Sequence, residues 1–126
     1  MKAKQKKDRL ERLILFYFDF LVTDFSFAYR KTSFPDFMGF PGPICVYSFF
    51  NDNGCLSLHY IAQKDELGLY TADRYSDNQY QLLKREVSTS KLCGRKVFTK
   101  RQLFSEISNQ LRKEAEENGT VLGINV

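Results

Sequence analysis

The chain has 126 residues, 43% of them hydrophobic and 27% charged, which suits one compact globular domain and excludes a largely disordered chain. Twelve Phe and seven Tyr, with no Trp, supply enough apolar area for a small core. The net charge of +4 is unevenly laid out: residues 1–12 carry +4, 13–82 carry −4, 83–113 carry +7 and 114–126 carry −3, so acidic and basic surfaces coexist, as suits a protein that docks onto macromolecules.

Residues 5–24 have the period of an amphipathic helix. Leu10, Leu13, Ile14, Tyr17, Phe18, Leu21 and Val22 form its apolar stripe, and charged residues fill the opposite face of the first half. The basic lead-in and the run LILFYFDFLV imitate a signal peptide. Asp19 interrupts that run, which is too short to span a bilayer, and TDFSF is a poor cleavage site. The segment therefore reads as a structural helix. SFAYRKT alternates and predicts a first short strand. FPDFMGFPGP holds all three prolines and cannot be a regular element. Its Phe34, Phe37, Met38 and Phe40 suit a loop packed on the core or a contact surface.

ICVYSFF-NDNG-CLSLHYIA has the pattern of a β-hairpin. With Phe50 opposite Cys55, Val46 faces His59 and Tyr47 faces Leu58. Cys45, Tyr47, Phe49, Leu56, Leu58 and Tyr60 then share the more apolar face, expected to meet the helices. Ile44, Val46, Ser48, Phe50, Cys55, Ser57, His59 and Ile61 share the other, assigned outward. Cys45 and Cys55 lie on opposite faces and cannot bond. Three cysteines without a CxxC point to free thiols in a reducing cytoplasm. QKDELG is a turn and LGLYTA a third meander strand. QYQLLKREV fits a short helix or a further sheet strand equally, and STSKLCGRK reads as a loop.

Thr99-x-x-Gln102 is a capping box opening a final helix with a stripe of Leu103, Phe104, Ile107 and Leu111, stopped by Gly119. TVLGINV fits an edge strand or a loose end. The expected architecture is a single α+β domain over 1–126, an antiparallel meander with N- and C-terminal helices on one face and with 1–6 and 120–126 prone to fray.

No motif announces a chemistry. His59 is the sole histidine, and no acid is placed beside it and the serines to orient the ring. One histidine with scattered cysteines offers no metal set, and no glycine-rich phosphate loop occurs, so neither metal nor cofactor is expected. Two binding patches remain. Asp65, Glu66, Tyr70, Asp73, Tyr75, Asp77 and Tyr80 combine carboxylates with tyrosines, the composition of a protein interface. Lys84, Arg85, Lys91, Arg95 and Lys96, with Lys100, Arg101 and Phe98, form the alternative, a patch for phosphates and a stacked base, though no RNA-binding motif is present.

FYFDFLVTDFSFAYRKTSF resembles the opening of many small bacterial immunity proteins, in which a helix leads through an aromatic pattern into a sheet. Phe20, Leu21, Val22, Phe25 and Phe27 carry the match. VYSFFNDNGCLSLHYIAQKDELGLYTA is similar to their meander, and the resemblance spans residues 13–72. It implies a non-catalytic cytoplasmic protein whose partner is a cognate toxin domain, delivered between competing bacteria as in contact-dependent inhibition. Many such proteins are acidic overall, whereas this chain is basic. Its acidic stretch 13–82 suits a basic toxin, and its +7 segment an acidic one.

Overall fold

The computed structural model describes residues 8–34, 44–76, 85–94 and 99–126. Asp8 opens α1 (Arg9–Phe18), its carboxylate accepting the Glu11 amide. The expected continuous helix is divided at Asp19, after which α2 (Phe20–Thr23) adds a short turn. Ile14, Phe18 and Leu21 of the predicted stripe are fully buried. Glu11 departs from the expected polar face and is buried as well.

Five antiparallel strands follow as a meander in the order β1-β2-β3-β4-β5. They are β1 (Ala28–Phe34), β2 (Ile44–Asn51), β3 (Gly54–Ile61), β4 (Glu66–Ala72) and β5 (Arg85–Val87). The hairpin register is the one its turn predicts: Val46 pairs with His59, Tyr47 with Leu58 and Phe50 with Cys55. Asn51 sets the turn, its side-chain oxygen accepting the amides of Asn53 and Gly54. Of QYQLLKREV, the described part is strand β5. STSKLCGRK is not simply a loop. Ser88 caps a helix, α3 (Thr89–Cys93), which Gly94 ends in the left-handed conformation. The FPDFMGFPGP loop beyond Phe34 lies outside the described residues.

Helix α4 (Lys100–Asn118) carries the full Thr99–Gln102 capping box and ends at Gly119 with φ 71°. The C-terminus neither frays nor joins the main sheet. β6 (Thr120–Val121) and β7 (Ile124–Asn125) pair with each other, and Val121 is fully buried. Glu114 on α4 clamps this hairpin by accepting from the Thr120 hydroxyl and the Leu122 and Gly123 amides.

The core lies between the helices and the predicted apolar face. Tyr47, Phe49, Leu56 and Leu58 meet Ile14 and Phe18 of α1 and Phe104, Ile107 and Leu111 of α4. Phe18 is its aromatic centre, 5.8 Å from Phe104 edge-on and 6.1 Å from Phe49. The protein is thus α+β, an antiparallel meander with helices on one face.

The opposite face corrects an expectation. It was assigned outward, yet Ile44, Val46, Ser48, Cys55 and Ser57 are all buried. Tyr70 lies against His59 at 4.3 Å between ring centroids, and Tyr75 stacks on Phe50 at 4.1 Å. All three cysteines are free thiols.

Candidate functional site

The described acidic-aromatic residues are strung along β4 rather than gathered. Asp65 and Asp73 flank this seven-residue strand, so they stand about 25 Å apart. Asp65 occupies the β3–β4 turn with φ 52°, a conformation Asp tolerates better than most residues. It accepts from the Tyr60 hydroxyl at 2.7 Å and the Lys100 ammonium at 2.9 Å. Lys100, then Tyr60, holds its carboxyl below the usual range, so Asp65 fastens α4 to the sheet end. Asp73 pairs with Arg85 at 3.2 Å, with both side chains exposed. Tyr75 is committed to Phe50. Asp77 and Tyr80 lie outside the described residues.

What remains shares one face of the sheet. On β4, Glu66 and Tyr70 point to the face opposite the helices, in register with Ile61 and Ser57. Glu86 of β5 is the direct cross-strand partner of Tyr70. Glu66 and Glu86 are exposed and Tyr70 is half-buried. Burial, then the charges of Glu86 and Glu66, pushes the Tyr70 phenol up from its ordinary value, at which it is already neutral at physiological pH. Its ring is fixed from behind by His59 and from the side by Gly68, where a Cβ would come within 2.7 Å of the Tyr70 Cε1. A carboxylate, a phenol and a second carboxylate thus share one rigid surface. Glu86 was missed in the sequence because the strand parity of 79–87 could not be assigned.

The described residues of the basic segment are dispersed. Arg85 turns to Asp73, Lys91 sits in α3, and Lys100 turns to Asp65. Lys84, Arg95, Lys96 and Phe98 lie outside the described residues. Arg101 instead meets α1. With Arg9, Arg12, Leu13 and Phe16 it lines an open groove of about 470 Å³. Phe16 is 75% exposed, the most exposed large apolar side chain among the described residues. Leaving it in water forgoes about 2 kcal/mol of burial. Its absence from the apolar stripe was visible in the sequence, but its arginine neighbours depend on how α1 meets α4.

The Ser57 hydroxyl lies 3.0 Å from His59 Nε2, but Ser57 is only 2% exposed, so a substrate has no access to that oxygen. Among the described residues no three His, Cys, Asp or Glu side chains are placed to hold a metal ion, and no helix is long and apolar enough to cross a membrane.

A second polar cluster has a structural role. Lys31 on β1 bonds Asp8, the Tyr29 hydroxyl donates to Glu11 at 2.6 Å, and the Tyr47 hydroxyl donates to Asp8 at 3.5 Å. Partial burial alone would raise the Asp8 carboxyl, but the Lys31 bond and the Glu11 amide outweigh it and hold it low. Asp8 in turn holds the Lys31 ammonium above its usual range. Burial, then the bond to Glu11, pushes the Tyr29 phenol well up, and burial does the same to Tyr47. The cluster fastens the start of α1 to the sheet. The sequence matches no family model, no curated protein and no solved structure.

Proposed function

We propose that this chain is an immunity protein that binds a cognate antibacterial toxin domain and neutralises it without catalysis, in the cytoplasm of the cell it protects. The observation that carries the reading is the Glu66–Tyr70–Glu86 strip on β4 and β5. Exposed carboxylates steer a basic partner during encounter, and a preorganised tyrosine supplies contact area at little entropic cost. Both suit inhibition by occlusion, where a neutral phenol and two carboxylates meet Lys and Arg around the toxin's active site. The resemblance over residues 13–72 favours the same reading. Affinity is expected on the order of nanomolar or tighter, since escaped toxin kills the cell.

The test is a binding titration against the toxin domain encoded by the neighbouring gene. Tyr70→Ala is expected to weaken binding by about thirtyfold or more, mainly through a faster off-rate. Glu86→Lys is expected to slow association and reduce its salt dependence. Unchanged affinity in both variants removes the strip from the interface. The alternative, a nucleic-acid-binding module on 84–101, has less support, because Arg85, Lys91 and Lys100 sit on separate elements and two of the three are paired with carboxylates.

A further inference from the structure

The groove between α1 and α4 has a composition that the strip on β4 does not share. Among the described residues its lining is Arg9, Arg12, Leu13, Phe16 and Arg101: three guanidiniums, two apolar side chains and no carboxylate. Helix geometry assembles it. Arg9, Arg12, Leu13 and Phe16 recur at spacings of three and four along α1, which places them on adjoining rows of one surface. Arg101, in the first turn of α4, closes the other side. The Phe16 ring stands edge-on to Tyr17, 4.9 Å between centroids, and is 75% exposed.

We propose that this groove docks an acidic stretch of a partner polypeptide, with carboxylates on Arg9 and Arg101 and one apolar side chain against Phe16 and Leu13. This second contact surface does not depend on the toxin reading. Charge complementarity selects the occupant. Guanidinium forks bind carboxylates in bidentate fashion, and Arg with an exposed aromatic is the composition that interface centres favour. The site is short: it suits two carboxylates around one apolar residue. A nucleic-acid strand calls for a longer basic track, and the neighbouring Lys100 is directed to Asp65.

The experiment measures fluorescence anisotropy of three labelled probes with the full chain: a random copolymer of Glu and Tyr, plain polyglutamate, and single-stranded oligouridine. Phe16→Ala and Arg101→Glu are compared with the parent chain, and circular dichroism verifies their folding. Both positions are exposed, so the fold is expected to tolerate them. The Glu/Tyr copolymer is expected to bind more tightly than polyglutamate, and each variant to weaken it by about tenfold or more. Failure of the parent chain to bind the copolymer, or equal binding by parent and variants, overturns the assignment. Equal affinity for copolymer and polyglutamate overturns the apolar contact at Phe16. Tighter binding of oligouridine, lost in the same variants, overturns it in favour of nucleic acid.

Discussion

Two residues show how single positions hold or shape the molecule. Glu114 accepts three hydrogen bonds, two from backbone amides of the terminal hairpin. Leu122 and Gly123 sit there at φ 50° and 82°, and the former is a costly conformation for a branched side chain. Glu114→Ala leaves both amides without that acceptor and is expected to cost about 2 kcal/mol. Urea unfolding and amide exchange check this: the loss of protection should concentrate in residues 120–125. Protection there equal to the parent would show that Val121 and Ile124 packing alone holds the hairpin. Gly68 matters differently. A methyl group at this position would come within 2.7 Å of the Tyr70 ring, so Gly68→Ala is expected to push the ring off its contact with His59 while leaving the core packing intact. If the strip binds the toxin, this variant weakens the complex by about tenfold with a nearly unchanged urea midpoint. Undiminished binding would indicate that the Tyr70 position does not matter.

Between elements, the attachment of α1 to the sheet contributes to the pH dependence of stability on both limbs. The folded Asp8 carboxyl titrates below its unfolded value. Its contribution is complete above about pH 4 and is lost as the pH falls further. Lys31, Tyr29 and Tyr47 are all raised, so their contributions are complete below about pH 10 and are lost as the pH rises beyond it. Asp8 and Lys31 remain partly exposed, which limits their ion pair to about 1 kcal/mol. Asp8→Asn keeps a helix-capping side chain but removes the charge. Its urea midpoint is expected to vary less between about pH 3 and 6 than that of the parent. An identical acid limb would place the dependence on other carboxylates.

Across the whole molecule, the fold was most legible in the sequence where local chemistry and burial agree. The β2–β3 register followed from the Asn51 turn and a period-two pattern. Helix α4 followed from its capping box, its buried stripe of Phe104, Ile107 and Leu111, and its stop at Gly119. Where tertiary contacts decide, the sequence was silent. Helix α3 spans five residues, too few to show a period, and only Ser88 and Gly94 mark its ends. β5 is three residues long, so the parity that puts Glu86 beside Tyr70 emerges only from pairing with β4. The far face of the sheet, with its small and polar residues, looked exposed. It is buried at its centre and partly overlain by Tyr70 and Tyr75. The candidate site was half legible: Glu66 and Tyr70 stay together on one surface, whereas Asp65 and Asp73 are drawn into ion pairs at opposite ends of β4. The groove at Phe16 needed the meeting of α1 and α4, which no local pattern encodes.

Toxin binding through the β4–β5 strip is best tested by a tagged pull-down from the source organism, at moderate salt and with nuclease added. An immunity protein is expected to recover one stoichiometric protein partner, encoded beside this chain and toxic when expressed alone, and to release it faster on washing with Tyr70→Ala. Recovery of nucleic acid that disappears on nuclease treatment, with no such protein, would contradict it.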